Sequence, residues 1–155
     1  MTYKEFKEAR QAEYNKLPIF FAFSDKQLEE ALQKRGLTIE DAPGQLYRIG
    51  HLGGFYLKKD APEIRAFFEK DSDKELRELM EADEEFCYEA FEYEMYNHEY
   101  PINWEGDYDV CSCFGNCEWS EVKFGSDYLK ELGFSDKVVL IYNNAARAVR
   151  AAMDW

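Results

Sequence analysis

The sequence predicts an α+β fold, mainly helical, with a small β-hairpin or short sheet and a Cys-rich loop, built as one domain over residues 1–155. Three observations predict it. Apolar residues recur at helical spacing along most of the chain, two aromatic runs flank glycines near residue 50, and Cys111, Cys113 and Cys117 crowd one loop. A chain of 155 residues buries about 70% of the surface its unfolded form exposes. With 46% apolar and 17% aromatic residues, it has material for a core that a disordered acidic segment lacks.

Phe6, Ala9, Arg10 and Tyr14 fall at helical spacing from Tyr3 to about Leu17, where Pro18 stops the helix. Ile19–Phe23 reads as a buried strand or extended segment. Ser24 with Gln27 forms a capping box for a helix through Leu28, Ala31 and Leu32 that ends at Gly36. Gln45–Lys59 carries the hairpin signal, with His51 beside Leu52-Gly53-Gly54 as a turn residue. Asp60 and Pro62 suit the start of a helix over Ala61–Lys70. From Asp73 to about Tyr100 the pattern is helical again, with a break expected near Ala82–Glu84. Pro101–Gly125 reads as a loop. Ser126 is expected to cap a short helix closed by Gly133, and Ser135 to open a last helix with Val139, Tyr142, Ala146, Val149 and Met153 as its core stripe.

Charge is the most uneven property of the chain. Residues 78–122 hold fourteen Asp and Glu, one His and no Lys or Arg. Residues 69–109 carry sixteen acids against Lys70, Lys74 and Arg77, a balance of −13 that equals the net charge of the whole chain. Such a field repels nucleic-acid and membrane phosphates and attracts basic protein surface. At about 100° per residue, Glu78, Glu81, Glu85, Glu89, Glu92 and Glu99 of one long helix fall within roughly 80° of arc. They would line a ridge about 31 Å long, on the scale of phosphate spacing along a nucleic-acid strand. Tyr88, Tyr96 and Tyr100 nearby would act as anchors for a basic partner. Like charges four residues apart destabilise a helix by a few tenths of a kcal/mol each, so a ridge without interspersed Lys points to use rather than to solubility alone.

The spacing C-x-C-x3-C at Cys111, Cys113 and Cys117, with Gly115 and Asn116 in the turn, suggests a structural zinc site that needs one more ligand. His98 is the expected fourth ligand and Cys87 the alternative; Cys87 lies about 16 Å from His98 along a continuous helix, so both cannot bind one ion. Free structural thiols and a loop disulfide are the competing readings. Glu94 with His98 reads first as a buried hydrogen-bonded pair.

Catalytic patterns are thin. The chain has no G-x-S-x-G, P-loop, H-E-x-x-H or Rossmann fingerprint and only two histidines. A single-metal hydrolase using His98, Glu99 and a cysteine is the weaker enzymatic alternative, and a non-catalytic protein is expected. No apolar run reaches the roughly 18 residues of a membrane span, and the charged N-terminal stretch does not read as a signal peptide. A cytoplasmic protein is expected, with its cysteines reduced or metal-bound.

The runs LPIFFAFSDKQLEEALQKRGL (17–37), GGFYLKKD (53–60) and YNHEY (96–100) resemble a group of small acidic proteins of unknown role carried by phages and conjugative elements of Gram-positive bacteria. The Cys loop after Tyr100 departs from that group's pattern. By analogy with phage anti-CRISPR proteins, the resemblance implies an inhibitor in the cytoplasm of the bacterial host that blocks DNA loading of a CRISPR effector nuclease or another nucleic-acid-binding enzyme. A CRISPR effector grips its nucleic acid in a positively charged channel. The alternative implied by the same resemblance is a regulatory or housekeeping interaction protein of the mobile element. In either case the partner is a basic protein surface, not nucleic acid or membrane.

Overall fold

The computed structural model describes residues 1–50 and 53–154; His51 and Leu52 of the expected turn lie outside the described residues. The fold is mainly helical α+β, with one small antiparallel sheet. Two compact units make up the chain, one from Met1–Glu8 with Asp71–Trp155 and one from Ala9–Lys70. Helix α1, Tyr3–Asn15, contributes residues to both.

The 9–70 unit carries the sheet. Strands β1 (Phe20–Phe21), β2 (Leu46–Ile49) and β3 (Gly54–Leu57) run in the order β1-β3-β2, all antiparallel. Pairing of Leu46 with Leu57 and of Phe20 with Phe55 puts apolar side chains on one face. They form a core of Phe20, Ala22, Leu32, Phe55 and Leu57. Gly53 has φ +76°, and a Cβ there would come within 2.9 Å of the Ala22 carbonyl and the Phe23 ring, so glycine is required at the β3 entry. Helix α2, Asp25–Gln33, starts where expected because the Ser24 hydroxyl accepts from the Gln27 N–H at 3.2 Å. Helices α3 (Ala42–Gln45) and α4 (Ala61–Glu69) each take proline in the first turn.

The other unit is helical, with α5 (Ser72–Ala82), α6 (Glu84–Asn97), α7 (Gly106–Cys111), α8 (Gly125–Glu131) and α9 (Asp136–Ala152). Phe86, Ala90, Phe91 and Met95 of α6 are buried in one core with Val138, Tyr142, Ala145 and Val149 of α9. The Phe91 ring meets Tyr142 edge-on at 5.0 Å and Phe114 at 5.3 Å. Such pairs add about 0.5 to 1.5 kcal/mol each beyond area burial.

The acidic helix breaks where expected, at Asp83, which leaves helical geometry with φ −135° and ψ 108°. Its carboxylate accepts from the Glu85 and Phe86 N–H groups, both at 3.1 Å, and so starts α6 afresh. The stretch expected as the loop Pro101–Gly125 contains α7 and two 3-10 turns, Tyr100–Ile102 and Ser112–Phe114. Phe124, not Ser126, precedes α8, with Asp127 accepting from the Phe124 N–H at 2.8 Å. In α9 the buried stripe runs through Val138 and Ala145, while Val139 and Met153 are only half-buried.

Candidate functional site

The densest chemistry in the acidic unit gathers around Glu94. Its position on α6 faces the core, and the side chain is 1% exposed, which demands full pairing of the carboxylate. Oε1 accepts from the Lys7 ammonium at 2.7 Å and from the Tyr3 hydroxyl at 2.8 Å. Oε2 faces the Cys113 thiol, which donates to it at 3.3 Å, and the His98 Nε2 at 3.5 Å. Cys113 Sγ and His98 Nε2 stand 3.4 Å apart. Burial pushes the Glu94 carboxyl up, but the hydrogen bonds from Lys7, Tyr3 and Cys113 outweigh it and hold the group below the ordinary range. Burial and the neighbouring carboxylate push the Cys113 thiol the other way, up to about 12.

Glu94, His98 and Cys113 form a cluster that could hold a metal ion, the only such group of three or more among the described residues. The fit is geometric. Zinc bonds of about 2.0 to 2.3 Å at tetrahedral angles place ligand atoms about 3.3 to 3.7 Å apart, and the three separations here are 3.3, 3.4 and 3.5 Å. Lys7 and Tyr3 fix the carboxylate by its other oxygen, the role outer partners play around a metal. Without an ion the same atoms make a hydrogen-bonded cluster.

The expected ligand set is thereby corrected. His98 and Cys113 come together, but Cys111 and Cys117 do not join them and Glu94 does. Cys111 closes α7 and Cys113 lies in the following 3-10 turn, so two residues of helical rotation point the thiols to opposite sides. The Cys111 thiol is buried and approaches the Gly125 carbonyl at 3.9 Å. Cys87, the alternative ligand, is fully buried in the α6 core face. All four cysteines are free thiols. The signal that could have found Glu94 is its i,i+4 spacing with His98, already visible as a pair; its partners Tyr3 and Lys7 carry no sequence signal, being 91 and 87 residues away.

The carboxylate ridge is likewise redistributed. Glu78 and Glu81 belong to α5, Glu85, Glu89 and Glu92 to α6, and Glu99 sits past the helix end in a left-handed conformation with φ +51°. Glu81 accepts from the Ser135 N–H at 2.7 Å and hydroxyl at 2.8 Å, at the start of α9. Glu89 accepts from the Tyr3 N–H at 3.3 Å, and Glu78 approaches Lys74 at 3.9 Å. Tyr100 is buried and donates to Asp107 at 2.8 Å, so it is no surface anchor. Tyr96 is exposed, Tyr88 is half-buried against Glu92, and the exposed Tyr93 was not expected. Glu89, Glu92, Tyr93 and Tyr96 together line a groove of about 680 Å³.

Residues 2–133 match the model described as Family of unknown function (DUF7659). The chain belongs to this family. No curated protein and no solved structure matches it. The DUF7659 match takes in Glu94, His98, Cys113 and the residues of the groove, and ends before α9. No helix among the described residues is long and apolar enough to cross a membrane.

Proposed function

We propose that this protein is a non-catalytic binding protein whose acidic unit occupies a basic, nucleic-acid-binding surface of another protein. The observation that supports it is the partition of charge. The unit of residues 1–8 and 71–155 holds 23 Asp and Glu against 9 Lys and Arg, while residues 9–70 hold 9 against 10. One unit therefore carries −14 and the other +1. Several of the acidic unit's few cations are engaged within it: Lys7 on Glu94, Arg77 on the Phe114 carbonyl, Lys123 on Glu131 and Lys137 on the Glu81 carbonyl. The unpaired excess is left to a partner, and the groove at Glu89, Glu92, Tyr93 and Tyr96 offers it carboxylates beside aromatic rings.

The target class is a CRISPR effector nuclease, whose nucleic-acid channel has the required charge, and the effect is loss of DNA loading. The test is a mobility shift of target DNA by a guide-loaded effector from a Gram-positive host, with the protein in excess. Loss of the shifted band supports the reading; an unchanged band with intact cleavage removes that target. The triple change Glu85→Lys, Glu92→Lys, Glu99→Lys, at carboxylates outside the Glu81 and Glu89 contacts, is expected to abolish inhibition with helicity intact.

The metal of the Glu94 cluster is proposed to be zinc in a structural role, tying α6 to the turn that carries Cys113. One zinc per chain by elemental analysis, lost in Cys113→Ser, is the expected result. A second reading, a single-metal hydrolase, is favoured by one observation: three protein ligands leave a tetrahedral site one position short.

A further inference from the structure

Away from the Glu94 cluster, the acidic unit has a second concave feature. A cavity of about 180 Å³ opens between the segment that starts α7 and the segment before α8, with Trp104 and Trp119 at its walls. It is smaller than the roughly 300 Å³ at which ordinary small-molecule sites begin, so it suits a single side chain. Trp104 is 85% exposed and Trp119 45%. Neither indole pairs with another ring, and neither N–H donates to a protein acceptor, among the described residues. Leaving Trp104 in water and Trp119 partly uncovered forgoes part of their burial energy, which is recovered when a partner covers them.

The polar lining gives the partner's sign. Glu105, Asp107 and Glu121 line the cavity against one cation, Lys123, and that ammonium is held by Glu131 at 2.9 Å and by the Glu118 carbonyl at 3.2 Å. The framework is fixed. Asp107 takes the Tyr100 and Tyr142 hydroxyls at 2.8 and 2.6 Å on Oδ1 alone, leaving Oδ2 without a protein donor among the described residues. Tyr128 accepts from the Ser120 N–H at 3.2 Å and donates to the Ser120 carbonyl at 2.9 Å, which clamps the residue between Trp119 and Glu121.

Carboxylates beside indole faces are the chemistry that recognises an organic cation. A guanidinium matches it better than an ammonium, because it is planar, stacks on rings, sheds water more readily and can donate to two carboxylates at once. We propose that the Trp104–Trp119 cleft binds an arginine side chain presented by the partner protein. This deepens the proposed function and rests on its basic partner.

The test uses the full chain and the peptide acetyl-Gly-Arg-Gly-amide, followed by the indole N–H signals of Trp104 and Trp119 in ¹⁵N spectra. Saturable shifts are expected with the arginine peptide, binding at least about fivefold weaker with the lysine peptide, and none with the citrulline peptide, which keeps the shape and loses the charge. Trp104→Ala and Glu121→Gln should each abolish the response; both side chains are exposed, so unchanged circular dichroism is expected to confirm the fold. No saturable shift, or equal responses to citrulline or lysine, would overturn the arginine site. Arginine binding without any effect on DNA loading would sink the nuclease reading and leave the cleft standing. Inhibition that survives Trp104→Ala, together with a negative titration, would do the reverse.

Discussion

Glu94 shows how much a single buried charge organises. Its two oxygens face different chemistry, Lys7 and Tyr3 on one side and Cys113 and His98 on the other. Glu94→Gln keeps the shape but removes the charge that Lys7 answers. Because Lys7 is partly exposed and can turn to water, the expected loss is about 1 to 3 kcal/mol, read by urea denaturation, rather than the larger cost of stranding a wholly buried ion. Cys87 supplies a pH signature. Burial, then Glu81, pushes its thiol up to about 12, against about 8.5 in an unfolded chain. A folded-state pKa raised in this way adds stability that is complete below about pH 8.5 and lost as pH rises toward 12. At pH 10 the loss from this thiol is about 2 kcal/mol; a stability profile flat from pH 8 to pH 10 would contradict it. Gly125 is a third constraint, since a Cβ there meets the Tyr142 ring and lies 3.0 Å from Asp107 Oδ1. Gly125→Ala should lower stability by about 1 to 3 kcal/mol through overpacking, seen as a lower Tm.

Among the elements, the joint between α5 and α6 decides the most. Asp83 ends one helix and caps the next, and Glu81, two residues earlier, reaches Ser135 at the start of α9. Glu81→Ala should cost about 1 kcal/mol by stripping a carboxylate from a helix N-terminus. The double change with Ser135→Ala should cost more than either single one but less than their sum, because only the Ser135 hydroxyl contact is shared while the Ser135 N–H bond to Glu81 and the Ser135 cap on the Val138 N–H are separate. Elements were legible where local chemistry sets them: Ser24 ahead of α2, Pro62 in α4 and Gly53 at the entry to β3 behave as their residue types dictate. The helical turns between Tyr100 and Phe114 were not, because α7 is only six residues long and, of its buried Gly106, Val110 and Cys111, the glycine carries no apolar side chain, which leaves too few residues to mark a helical stripe. The thiols of Cys111 and Cys113 read as one chelate only on a loop; on helical backbone the same spacing separates them. Ridge geometry failed for a related reason, since one capping aspartate resets the rotation of every carboxylate after it.

At the scale of the whole molecule, charge was fully legible and its use was not. Composition placed the acids, but only the fold shows that they fall in one unit and that Lys7, Arg77, Lys123 and Lys137 are engaged inside it. A complex built on this imbalance should associate more slowly as salt rises, since screening shortens the field to about 3 Å at 1 M ionic strength. Stopped-flow association rates that do not change between 0.05 and about 1 M salt would remove electrostatic steering from the account. The same unit is discontinuous in sequence, and Tyr3 and Lys7 complete a site whose Glu94 lies 91 and 87 residues further on, with His98 and Cys113 beyond it. Closing so long a loop is a late and slow event. On the ribosome, the first turns of α1 are therefore made early and used late: Lys7 and Tyr3 stand ready long before Glu94 is added, and until Cys113 has emerged the Glu94 carboxylate still lacks its thiol, so the nascent acidic helices must wait without their keystone.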